Sequence, residues 1–183
     1  DFEMSLANLS QGVLASDIGK VLKDSLKTDD LLYAYADSLS DSSFDIPLAG
    51  LLNGSIDAMI RVHAEDGSPR LFITDYKTNR LDGDEDVSLI EAYAPERLVA
   101  AMEHHHYPLQ ALLYGTAIYR MLRWRQPTMN ADEVIAGIAY FFVRGMVGVE
   151  SPKDAHDMPY GVFQWRAPEG LWEKLSNLFA GDR

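Results

Sequence analysis

The sequence predicts a mixed α/β fold, a central mixed sheet flanked by helices, and three stretches carry that prediction. "SIDAMIRVHA" and "RLFITDYK" have strand character and flank "EDGSP", whose Asp66-Gly67 is a strong hairpin signal. "YPLQALLYGTAIYRMLRWR" runs for five turns with apolar residues at helical spacing. "VIAGIAYFFVRGM" is a continuous apolar run of the kind found in a strand buried on both faces, bounded by Gly145.

The remaining elements follow in chain order. "FEMSL" can form an edge strand. Ser16 is positioned to cap a helix carrying Ile18, Val21, Leu22 and Leu26 at helical spacing, and "DDLLYAYADSL" reads as a second helix. "SSFDIPLAGLLNG", with a proline and two glycines, reads as a connector. The hairpin strands are expected over 54–63 and 70–77. Two helices follow, "EAYAPERLVAAMEHH" and the long one from Tyr107. "GVFQWRA" is a further short strand, and "EGLWEKLSNLFAG" closes the chain as an amphipathic helix ending at Gly181. "ESPKDAHDMPYG", polar and broken by two prolines, is expected to be disordered.

Length and composition bound the function. The 183 residues fit one domain over 1–183, large enough for a substantial core. With no cysteine, disulfides, thiolate zinc sites and cysteine-held iron–sulfur clusters are excluded. No apolar run reaches the length of a membrane span, so no membrane association is expected and the cytoplasm is the default location. The chain starts at Asp1 without an initiator methionine, which suggests a piece of a longer protein. A net charge of −12 is the reverse of a free-standing nucleic-acid binder's basic footprint. Base gathers in "YRMLRWRQP", where Arg120, Arg123 and Arg125 read equally as phosphate contacts or as a solvated helix end. The acidic 82–86 loop reads as solvated, and "PERL" as a surface that could meet a partner subunit. Trp124, Trp165 and Trp172 read as core or interface residues.

The chemistry concentrates in the hairpin. A turn at Asp66-Gly67 places residues whose numbers sum to about 132 opposite one another, so Asp57 faces Asp75 across the pair. Strand alternation brings Lys77 to the same side as Asp75. Two opposed carboxylates repel unless a cation lies between them, and a hard divalent ion takes one or two carboxylates plus water and phosphate oxygens. A lone Asp-x-Lys is common and reads by itself as a strand end. A "GSID" before one strand joined by a hairpin to "DYKTN" at the end of the next is a much rarer combination.

At these residues the chain resembles the nuclease core of the PD-(D/E)XK superfamily, in its RecB-type form. "GSIDAMIRV" and "LFITDYKTNRL" carry the superfamily motifs. Met102, His105, Tyr107, Leu109 and Gln110 reproduce an M-x-x-H-x-Y-x-L-Q run, and Tyr114 completes Q-x-x-x-Y. "IAYFFVRGM" and "GVFQWRAPEGLWEKLSNLFAGD" extend the likeness over most of the chain from Gly54 onward.

The resemblance implies a restriction-endonuclease-like core and a metal-dependent exodeoxyribonuclease using Mg²⁺, with Mn²⁺ able to substitute. Asp57 and Asp75 resemble the metal-binding carboxylates, with the main-chain carbonyl of Tyr76 a further ligand. Lys77 resembles the catalytic lysine, and Gln110 and Tyr114 would support the site and contact the DNA strand. Glu3 could match an acid on the strand before the core, and reads equally as an exposed residue near a chain start. The family's histidine ligand lies upstream of that strand. A metal site short of one ligand is therefore expected, and His104, His105 and His106, adjacent on a helix, cannot jointly replace it. The implied parent is a RecBCD-type ATP-dependent helicase–nuclease in double-strand-break repair and recombination, whose other subunits deliver single-stranded DNA. Such a machine would supply the phosphate grip that an acidic domain lacks. The alternatives are an AddA-type nuclease domain, or a catalytically idle DNA-guiding or subunit-docking module.

Overall fold

In a computed structural model, the structure describes residues 1–6, 12–41, 47–81 and 88–181. Four strands make the main sheet, in the order β3 (Ala58–His63), β4 (Pro69–Lys77), β5 (Ile135–Phe142) and β6 (Val162–Trp165). The β3–β4 and β5–β6 pairs are antiparallel and the central β4–β5 pair is parallel, so the sheet is mixed. The hairpin register is the one expected, with Ala58 opposite Thr74 and His63 opposite Pro69. Gly67, at φ +79°, supplies the left-handed conformation that the turn needs.

A parallel pair needs a crossover. Here it consists of α3 (Pro95–His104) and α4 (Tyr107–Arg125), followed by the short α5 (Ala131–Val134). The sequence places the boundaries of α4 correctly because Pro108 suits a first turn and no breaker interrupts the following run. Its inner side packs on α6 (Leu171–Ala180), where Gly115 leaves room for the Trp172 ring directly against the helix backbone. Trp165 and Trp172 are core residues, as expected; Trp124, near the end of α4, is exposed instead.

Several local expectations need correction. The 54–63 stretch is not one strand. Gly54 closes β2 (Leu51–Gly54), which pairs with β1 (Phe2–Ser5) in a separate two-stranded sheet. The connector therefore ends in a strand, and Asp57 precedes β3 rather than lying within it. Ser16 is buried inside α1 (Ala15–Lys23), whose start is fixed by the Asp17 carboxylate accepting from the Leu14 N–H at 3.3 Å. The second helix is shorter than predicted, α2 (Tyr33–Leu39), because Asp30 accepts from the Leu32 N–H and holds a turn before it.

The 150–161 segment is ordered. The Asp154 N–H donates to Met158 O, Tyr160 N–H donates to Pro152 O, and Lys153 pairs with Asp157 at 2.8 Å. Local backbone and side-chain bonds do here what apolar burial does elsewhere. Within "PERL", Leu98 is fully buried in the core. The 82–86 loop lies outside the described residues. Among those described, no helix is long and apolar enough to cross a membrane.

Candidate active site

The C-terminal end of β4 carries the candidate site. Asp75 is buried, Tyr76 points outward with its ring against Phe141, and Lys77 returns to the Asp75 side. The Lys77 ammonium lies 2.6 Å from Asp75 Oδ1 and donates to Gln110 Oε1 at 3.0 Å. It sits 4.0 Å from the centroid of the Tyr107 ring, whose face attracts a cation. Asp57 reaches the same place from the segment just before β3 by accepting the Tyr76 N–H at 3.0 Å. Beyond the Ala58–Thr74 pair the hairpin ladder is thus continued by a side chain instead of by backbone.

Gln110 and Tyr114, one turn apart on α4, are locked into this arrangement. Gln110 Nε2 donates to the Tyr114 hydroxyl at 2.8 Å, and that hydroxyl donates to Ser55 O at 2.6 Å. The Gln110 amide is thereby oriented with its oxygen toward Lys77. The chain of bonds runs from the segment before β3, through α4, to the end of β4. It ties the position of Asp57 to that of Lys77.

Electrostatics fit a cation. Burial pushes the Asp75 carboxyl above its ordinary value, the Lys77 hydrogen bond and charge oppose that shift, and the negative charge of Asp57 adds to it. In an extended strand the N–H and C=O of one residue face the same edge, so the Tyr76 carbonyl faces the edge on which its N–H meets Asp57. Two carboxylates and a carbonyl form an oxygen-only donor set suited to a hard divalent ion. Glu3 on β1 is exposed and lines a cleft with Asp57, without joining the closer group. Among the described residues, no set of three or more His, Asp or Glu gathers closely enough to hold an ion unaided. The donor set present is therefore partial.

The three histidines do not share one helix face. His104 ends α3, His105 follows it, and His106 takes a left-handed conformation at φ 54° before α4. His105 stacks on Tyr107, and His106 Nδ1 lies 3.2 Å from the Tyr35 hydroxyl. The contacts of His105 and His106 are thus made around the α3–α4 turn. Arg120 is also structural, donating to Ser5 O and to Ser176 O and Oγ.

No family model matches this chain. Curated relatives do. The RecBCD enzyme subunit RecB of Mycobacterium tuberculosis is 43% identical to it over a 184-residue alignment that covers 97% of the chain. The chain is a homologue of one segment of RecB. The Mycolicibacterium smegmatis RecB is 41% identical over the same share, and the Escherichia coli RecB 34% identical over 72% of the chain. The chain spans only 16% of the mycobacterial RecB subunits and 10% of the Escherichia coli one. The likeness to RecB thus extends past the motif-bearing region to nearly the whole chain.

Sequence reasoning missed Tyr140. Its hydroxyl is 3.0 Å from Gln110 Oε1 and 3.2 Å from Tyr107 O, and burial holds it un-ionised. It stands beside Asp75 in the parallel β4–β5 register. Nothing in the sequence announces that pairing, because parallel partners are joined by no turn. Asn79 was visible only as part of a polar turn, yet it accepts from the Tyr107 hydroxyl at 2.8 Å and fixes the ring beneath Lys77.

Proposed function

We propose that this segment is a Mg²⁺-dependent deoxyribonuclease domain, spanning 1–183, of a RecBCD-type helicase–nuclease acting in double-strand-break repair and recombination. One observation carries the reading: in a homologue of RecB, Asp57, Asp75 and Lys77 converge at the end of one hairpin with Lys77 held by Gln110. PD-(D/E)XK membership is part of the same reading.

Asp57, Asp75 and the Tyr76 carbonyl would hold the ion, with Glu3 approaching from the cleft. A divalent ion bound there supplies Lewis-acid polarisation of the scissile phosphate and a lowered pKa for the attacking water. Lys77 offers a positive charge beside the phosphorus as negative charge builds on its oxygens. Gln110 and Tyr140 aim that ammonium, and the stacked ring of Tyr107 limits its travel. Tyr114 keeps the Asp57 segment docked against α4. DNA and the other subunits of a RecBCD-type assembly are the partners, with single strands delivered by the helicase.

The incomplete carboxylate group favours one other reading, an idle DNA-guiding or subunit-docking module. Cleavage of a labelled single-stranded oligonucleotide by the full-length protein with its co-purifying subunits separates the two. Cleavage that requires Mg²⁺ or Mn²⁺, stops with EDTA and is abolished by Asp75→Ala is the expected result. Equal cleavage by the Asp75→Ala protein, or none by the native one, would refute the nuclease reading.

A further inference from the structure

The helix stripe that begins with Gln110 and Tyr114 does not end at the candidate site. Residues 117, 118, 121, 124 and 125 continue it along α4 at helical spacing, and all of them line a cleft of about 730 Å³. Asp57 and Glu3 line the same cleft. Its floor is small (Ala117), its walls are apolar and adaptable (Phe2, Met59, Met121), and its far end is Trp124 with the Arg125 guanidinium 5.0 Å from the ring centroid. Trp124 is 75% exposed, an unusual state for a tryptophan in a chain whose other two are buried.

Resting on the nuclease reading above, we propose that this cleft seats the single-stranded DNA flanking the scissile phosphate, with Trp124 as a base-stacking platform and Arg125 as its phosphate contact. Three observations favour nucleic acid as the occupant. The cleft reaches Asp57 and Glu3, two of the candidate carboxylates, so it offers a path for a strand cut there. From Tyr114 to Trp124 the helix rises about 15 Å, room for roughly four nucleotides at ~3.4 Å stacked spacing. An exposed aromatic face beside an arginine is what sequence-tolerant binding of unstacked bases uses, and it gives this acidic chain local positive charge without a basic surface.

A photo-crosslinking amino acid at position 124 of the full-length protein, with its co-purifying subunits and a single-stranded oligonucleotide in EDTA, tests the contact directly. Crosslinking to the oligonucleotide is expected, and it should persist in an Asp75→Ala background. Trp124→Ala should raise KM for single-strand cleavage by roughly 5- to 150-fold, the stacking of one base, with kcat much less affected. Trp124→Phe should restore most of the loss. Crosslinking to a protein subunit instead, or an unchanged KM in Trp124→Ala while native cleavage is intact, would overturn the proposal. Absence of native cleavage with the DNA crosslink present would sink the nuclease reading and leave the binding cleft standing.

Discussion

Lys77 and Asp75 form a nearly enclosed ion pair, 2.6 Å between Nζ and Oδ1, with 12% and 5% of their side-chain surfaces exposed. A lysine two residues beyond an acid at a strand end would ordinarily swing into solvent. Here Gln110 and the Tyr107 ring hold it inward, so the fold itself fixes the pairing. Pre-organisation of that kind separates what the two residues contribute.

Substituting each partner should therefore give different losses. Under the proposed function, Asp75→Ala removes a charged donor from an already sparse set, so calorimetric Mn²⁺ binding and cleavage should both disappear. Lys77→Ala should keep metal binding, or tighten it slightly as a nearby positive charge is lost. Its cleavage should fall on the order of 10²-fold, the scale of one transition-state stabiliser. If the parent is the helicase–nuclease proposed above, unwinding by the full assembly should continue in both.

Stability should depend on pH through Asp75. Its folded carboxyl titrates above the ordinary 3.8, chiefly because burial disfavours the charged form. A raised folded value means the contribution to stability is full below the unfolded pKa and is lost as pH rises through the folded one. Thermal melts in EDTA should thus show an acid-side benefit that Asp75→Asn lacks. Added Mg²⁺ should offset the loss at neutral pH in the native protein and not in Asp75→Asn. Identical pH profiles for the two proteins would contradict the assignment.

Tyr114→Phe deletes one hydroxyl that accepts from Gln110 and donates to Ser55 O. Denaturant unfolding should show a cost of about 1–3 kcal/mol, the usual net worth of two such bonds. Cleavage should drop as well, by roughly 10- to 10²-fold, because the segment bearing Asp57 loses its fixed distance from Lys77.

Gly115→Ala tests the packing beneath the site. Alanine is the better helix former by about 1 kcal/mol, yet its Cβ would overlap the buried Trp172 ring. Overpacking typically costs about 1–3 kcal/mol, so the variant should be less stable by chemical denaturation despite the propensity gain.

The parts of the site visible in the sequence were those set by local rules. Asp66-Gly67 fixed the hairpin register, and with it the meeting of Asp57, Asp75 and Lys77; a helical turn fixed Gln110 and Tyr114. What escaped depended on distant partners. Tyr140 reaches the site through a parallel pairing, and β2 was hidden because its strand partner among the described residues is β1, near the chain start and two helices away in sequence. Ser16 has the chemistry of a cap and the position of a core residue, since Asp17 does the capping one place later. The 150–161 segment was misread because a polar composition with prolines says nothing of the turn bonds that Asp154 makes with His156 and Met158.

The β4–β5 pair has a kinetic consequence. β3 and β4 meet across a five-residue turn, whereas β5 can dock on β4 only after α3 and α4 have closed a long loop. Loop-closure entropy must be met before such non-local pairing is rewarded, and it sets folding speed more than stability. The carboxylates are thus brought together by a contact of short sequence separation, while the clamp on Lys77, made by Gln110, Tyr107 and Tyr140, waits for contacts of long separation. During refolding, backbone protection in the hairpin should precede burial of Tyr140, and nuclease competence should return with the slower of the two.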